Sequence, residues 1–206
     1  MSSFTDVPVR DLNALVHGCN YVKLAFTALL QAAYAHESTP PEYKYDSDEN
    51  KSQITIYRRF PKRSEKFPNI SVVAESGDAS VSYFGREELF EVRNETTGQL
   101  EKVVISGRIL IPVTIEINAL STTDREKLTD RTFIYVRYLF RNKVSELGIA
   151  FTTIKIGGER EETLPNGEIL YTNSINLPNL YMEFTDELDK DLFVTISQFN
   201  VTDAIK

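Results

Sequence analysis

The sequence predicts an α+β fold: a mainly antiparallel β-sheet with two long amphipathic helices packed on one of its faces. Two stripes of apolar residues at helical spacing carry this expectation, together with runs of strand signals between and after them. Strict alternation of strand and helix, the mark of a parallel sheet, is missing.

The first helix is expected over residues 8–36. Leu12, Leu15, Val16, Cys19, Val22, Phe26, Leu29, Leu30 and Ala33 follow the i, i+3, i+4, i+7 rhythm of one buried face. The fixed φ of Pro8 suits a first turn, and Pro40 with Pro41 forbids continuation. Cys19 is the only cysteine, so it forms no internal disulfide, and its place in the stripe predicts a buried, inert thiol. Residues 39–52 are polar and turn-rich, which predicts an exposed loop.

Short strands are expected over 53–59, 69–75 and 80–85, each fenced by Pro, Gly or Asp. Residues 86–99 give no strong signal apart from a hairpin turn at 94–98. The clearest β pattern covers 103–119, where Ile105, Ile109, Ile111, Val113, Ile115 and Ile117 share one face. Pro112 lacks an amide hydrogen, so this long strand is expected to be an edge there or to carry a bulge. Either would leave backbone groups available to another chain.

A second helix is expected over 123–147, with Thr123 capping the amide of Glu126 and Glu126 reaching back. Its stripe is Leu128, Thr132, Val136, Leu139, Phe140, Val144 and Leu147, and Gly148 suits a left-handed C-terminal cap. Strands are expected over 149–156, 168–175, 180–184 and 192–197, with a charged hairpin tip at 157–167.

The 206 residues predict a single domain, 1–206, with loop 39–52 and tip 157–167 as extensions. A content of 41% hydrophobic and 26% charged residues is that of a folded globular chain. The net charge of -7 argues against a surface that wraps nucleic acid by releasing counterions. It suits a wall past which DNA slides without sticking, although solubility explains the same charge. No basic stretch followed by an apolar run opens the chain, and no stretch of about 18 apolar residues occurs. A protein made and kept in a cytosol-like compartment, with no membrane anchor, is therefore expected.

Catalytic chemistry finds little to work with. His17 and Cys19 are two residues apart on a helix, so they point to different sides, and His36 at the helix end fits a capping role. One Cys and two distant His do not make a zinc site. Asp46, Asp48 and Glu49 lack the ligand spacing and central Gly of a calcium loop. Neither a phosphate-cradling Gly loop nor a Gly-x-Ser-x-Gly elbow occurs. The sequence therefore predicts no enzyme, no cofactor, no metal site and no catalytic residue.

Binding residues are expected in three places. Arg58, Arg59, Lys62, Arg63 and Lys66 cluster around Phe60 in a Pro-stiffened segment, which suits interface anchors or a meeting with an acidic surface. Pro112 marks the available strand edge. Glu159, Arg160 and Leu164 lie in the tip, which is expected to reach a neighbouring subunit.

The order of elements, with Ile115, Glu116, Ile117, Asn118, Ala119 and Leu120 leading into Ser121, Thr122, Thr123, Asp124, Arg125 and Glu126, resembles the tail-terminator proteins of tailed phages, particularly those with contractile tails. The likeness spans roughly 8–184, while loop 39–52 and tip 157–167 depart from the smallest members. It implies a virion protein of the neck, made in the host cytoplasm, that closes as a hexameric ring on the finished tail tube and joins the tail to the head. The partners implied are other copies of the chain, the tail tube or sheath, and a head-completion or connector protein, with DNA passing through unbound. Three alternatives stand beside it. The chain could be another tail or baseplate structural protein, separable by its position in the particle. It could be an enzyme or ligand-binding domain using Glu87, Glu88 and Glu116, marked by a raised carboxyl pKa. It could be a nucleic-acid-binding module using 58–66, marked by steep salt dependence.

Overall fold

The computed structural model describes residues 18–58, 66–74, 88–94 and 96–188. The expected strands at 80–85 and 192–197, and the start of the first helix, lie outside them. Helix α1 spans Gly18–Ala35. It buries Val22, Phe26, Leu30 and Tyr34 completely, the positions its apolar period selects. Cys19 is only half-buried, packed against the edge of the core.

The strands form two sheets. The first has the order β1 (Thr55–Tyr57), β2 (Asn69–Ala74), β5 (Val113–Ala119), β9 (Ile169–Leu177), β7 (Lys155–Ile156), with β8 (Arg160–Thr163) also on β9. The second runs β3 (Glu88–Arg93), β4 (Leu100–Leu110), β10 (Leu180–Leu188), β6 (Ile149–Phe151). All the ladders are antiparallel except β1 with β2. Ile70, Val72, Ile115, Ile117, Ile175 and Leu177 from the first sheet join Ile149, Phe151, Leu180 and Met182 from the second in one buried cluster with the helices. The fold is α+β and mainly antiparallel.

The expected 103–119 strand is two strands in two sheets. β4 is flanked by β3 and β10, and β5 by β2 and β9. Pro112 stands where the chain leaves one sheet for the other, a place where a missing amide hydrogen costs no ladder bond. It opens no strand edge, which corrects the expectation of an available edge there. The 149–156 strand divides in the same way into β6 and β7, in different sheets. The turn at 94–98 is present: the Gly98 N–H donates to the Asn94 carbonyl at 2.9 Å, with Gly98 at φ 68°. β3, which leads into it, was not expected.

Helix α2 spans Thr122–Ile134 and continues through a π-helical stretch, Tyr135–Phe140, into α3, Arg141–Ser145. The buried positions Leu128, Thr132, Val136, Phe140 and Val144 are each four residues apart. On a straight α-helix each such step turns about 40° further around the axis. The wider π turn takes up this drift and keeps all five inward. Leu139, expected in the stripe, is instead 54% exposed. So the second helix is an interrupted run, not one regular amphipathic helix. α1 lies against β1 and β2, and α2 against β5 and β9.

The cap also sits two residues earlier than expected. Ser121 is the N-cap, accepting from the Asp124 amide at 3.1 Å, and its hydroxyl donates to Asp124 Oδ2 at 2.7 Å. Ser121→Ala is expected to cost about 1 kcal/mol, measured as a shift of the denaturation midpoint, whereas Thr123→Ala should be close to neutral.

Loop 39–52 is held rather than loose. A 3-10 turn, Pro41–Tyr43, buries Tyr43, and Thr39 and Ser52 are also buried. The amides of Asp46, Asp48 and Asn50 donate to the Ser52, Asp46 and Asp48 side chains in turn, and the Gln53 amide returns to the Lys44 carbonyl at 2.8 Å. His36 takes part in the preceding turn, its Nδ1 accepting from the Ser38 amide at 3.2 Å.

Candidate functional site

The helical run builds the most distinctive surface. Because the π stretch turns Val136 and Phe140 inward, it leaves Ile134, Tyr138 and Leu139 outward at 51%, 63% and 54% exposure. Large apolar side chains gathered in this way on a folded surface mark a contact region more often than scattered single ones do. Arg137 lies across the rings of Phe133 and Tyr138, at 5.8 and 5.2 Å from their centres. Such stacking limits its freedom while leaving the edge of the guanidinium able to bond.

Beside Ile134, an open groove of about 610 Å³ is bounded by Pro40, Tyr43, Lys127, Arg131 and Tyr135. Its wall is fixed by hydrogen bonds. The Tyr43 hydroxyl donates to Asp124 Oδ1 at 2.5 Å, and the Tyr34 hydroxyl pairs with Thr132 Oγ1 at 2.8 Å. Burial raises the pKa of both tyrosines well above the ordinary value, and in Tyr43 the bond to Asp124 adds to it. The bonds from Tyr43 and Ser121 hold the Asp124 carboxyl below its usual value.

These shifts predict an alkaline weakness. Above the ordinary tyrosine value of 10.0 the unfolded chain releases phenolic protons that the folded chain still holds, so stability falls as pH rises there. Thermal melting of Tyr34→Phe is expected to start lower than wild type, because Thr132 loses a buried partner. It should then fall less steeply with pH above 10.0.

The sequence-nominated residues are dispersed. Arg58 is exposed directly after β1, while Arg59, Phe60, Lys62 and Arg63 lie outside the described residues. Lys66 donates through Nζ to the Ser52 carbonyl, so it clamps the loop. Residues 157–167 do not form a free tip. β8 pairs with β9 from Arg160↔Thr172 to Thr163↔Ile169, and the turn closes through the Gly167 N–H to the Leu164 carbonyl at 2.9 Å. Leu164 is buried at 7% exposure, which corrects its assignment as an outward contact.

Glu159 reaches the chain's own Arg125, with Oε1 2.9 Å from Nη2. The Arg125 side chain is 3% exposed, so this ion pair fastens the β7–β8 link to α2. That is a correction to Glu159 as a residue held out for a neighbour. Gly157 permits the same close passage: its N–H donates to the Ser174 carbonyl at 2.7 Å, and a Cβ would come within 2.0 Å of Ser174 Oγ.

Arg160 is exposed on β8, and its charge opposes the rise that burial causes in the Glu116 pKa. Glu116 stands opposite Ser71 and Ser174 on the first sheet, whereas Glu88 begins β3 in the second, and Glu87 lies outside the described residues. Glu88 and Glu116 are therefore not partners on one sheet.

Sequence reasoning missed Ile134, Tyr138 and Arg137. The signal was the repeated four-residue step from Leu128 to Val144, which a period of 3.6 cannot hold on one face.

No protein-family model matches the chain, and no curated protein matches its sequence. Among the described residues, no helix is long and apolar enough to cross a membrane.

Proposed function

We propose that the chain is a structural subunit that works by assembling with copies of itself, as a hexameric ring that closes on a phage tail tube and joins it to the head. One observation carries this reading: the outward cluster of Ile134, Tyr138 and Leu139, set on a helical run whose inward face is already filled. A large apolar surface with an aromatic at its centre is what a protein interface is built from.

Two further features support it. Among the described residues, β3 and β6 end the second sheet, and such edges can accept a neighbour's strand. The acidic balance suits a channel wall that DNA passes without binding. In this reading α1 and the α2 run cover one face of the six-stranded sheet, as in the tail terminators. The partners are then the tube or sheath below and a head-completion or connector protein above, in the neck of the virion.

Gold-labelled chain mixed with tail tubes tests the position by electron microscopy. Label at the head-proximal end of the tube is expected. Label at the opposite end would assign the chain to the baseplate instead, and label on neither would remove the tail reading.

A further inference from the structure

We propose that the groove between the helical run and the turn after β6, which carries Arg137 and Arg141, binds the phosphate group of a small ligand, either inorganic phosphate or a phosphate monoester. This site goes beyond the self-assembly reading and stands without it.

The site starts from the same four-residue step that fills the core. Phe133, Arg137 and Arg141 each lie one position after the buried Thr132, Val136 and Phe140. The π turn that keeps the buried row inward also keeps this row in line, and all three residues border the groove. Thr152 and Thr153, which follow β6, border it too. The groove holds about 340 Å³, at the small end of the roughly 300–1,000 Å³ usual for ligand sites.

Its lining offers donors, and among the described residues no acidic side chain borders it. Both arginines are exposed, and among the described residues neither forms an ion pair, although acidic side chains outnumber Lys and Arg by 30 to 23. Arg137 is steadied by the rings of Phe133 and Tyr138, 5.8 and 5.2 Å away, which leave the N–H edge of its guanidinium free to bond. Thr153 Oγ1 accepts from Asn179 Nδ2 at 3.5 Å, so its own hydroxyl hydrogen is left to donate.

The ligand follows from charge. Two uncompensated guanidinium groups match a doubly charged anion. A phosphate monoester carries about −1.5 to −2 at neutral pH and has three acceptor oxygens, enough for two guanidinium forks and a hydroxyl. A carboxylate or a phosphodiester carries a single charge and leaves one arginine uncompensated.

Titration calorimetry of the full chain at low salt tests this with inorganic phosphate, adenosine monophosphate, dimethyl phosphate and acetate. The first two are expected to bind with Kd on the order of 0.1–1 mM, and the last two at least about 10-fold more weakly. Arg137→Gln and Arg141→Gln should each weaken phosphate by about 10-fold and leave the melting temperature nearly unchanged, because both positions are exposed and Gln suits a helix. Thr153→Val lies off the helical run and should cost about 3-fold, which keeps the test open if a Gln variant folds poorly. Tighter binding of adenosine monophosphate than of phosphate supports an organic monoester as the ligand, and equal affinities support phosphate itself. Wild type that binds neither at about 10 mM, or Gln variants that bind as well as wild type, would overturn the site. Acetate or dimethyl phosphate binding as tightly as phosphate would overturn the choice of a doubly charged ligand. An oligonucleotide without a terminal phosphate that displaces phosphate would likewise overturn it, in favour of a nucleic-acid backbone. A chain that never self-associates leaves all of these readings unchanged.

Discussion

Phe26→Ala is expected to lower stability by about 3–5 kcal/mol, the usual cost of emptying a well-packed aromatic site. Phe26 is 0% exposed, and its ring meets Phe140 at 6.5 Å and Phe151 at 6.2 Å between centres. Those three rings belong to α1, the π stretch and β6 of the second sheet, so the residue joins layers that share no backbone hydrogen bonds. Truncation leaves a cavity that none of them can close alone, because each is held in its own ladder or helix. Urea denaturation checks the result as a lower midpoint with an unchanged slope. Leu24→Ala on the same helix, where Leu24 is 49% exposed, should move the midpoint by less than about 0.5 kcal/mol. A loss for Phe26→Ala as small as that of Leu24→Ala would mean that α1 does not pack as described.

The second large effect concerns association rather than folding. Replacing Ile134, Tyr138 and Leu139 with Gln together is expected to weaken self-association by about 100-fold, or about 2.8 kcal/mol. All three are more than half exposed, so Gln, a good helix former, should leave the melting temperature nearly unchanged. If they meet a neighbour, the same change strands polar amides in an apolar contact and removes the aromatic side chain from its centre. A sedimentation series over protein concentration reads the shift. Unchanged association would take the apolar cluster out of the interface.

What the sequence made legible followed from how local each signal is. The α1 stripe could be read because burial of Val22, Phe26 and Leu30 is a matter of one helical period. The same holds for β2, whose bounds at Asn69–Ala74 lie within one residue of expectation. The break at Pro112 was hidden for a physical reason. Ile109, Ile111, Val113 and Ile115 alternate without interruption, and alternation reports one buried face without saying which sheet buries it. The cap was displaced because Ser121 with Asp124, and Thr123 with Glu126, both carry an acceptor and an acid three residues apart. Only the geometry separates them.

The surface features were less legible than the core. Glu159 looked free because its partner, Arg125, lies 34 positions earlier in the numbering and is buried by tertiary packing that no spacing announces. Leu164 looked like an outward anchor in a charged segment until pairing of β8 with β9 folded that segment onto the sheet. The Ile134, Tyr138 and Leu139 cluster depends on the π turn, where a period of 3.6 fails. Sites that rest on a departure from regular geometry are hidden from periodic reasoning, and π turns are often found at functional positions.

Electron micrographs of the purified full chain at high concentration test the central claim most directly. Closed six-membered rings are expected, with a particle mass that is a whole multiple of the 23.5 kDa chain. A field of single-chain particles at every concentration, with and without tail tubes, would contradict it.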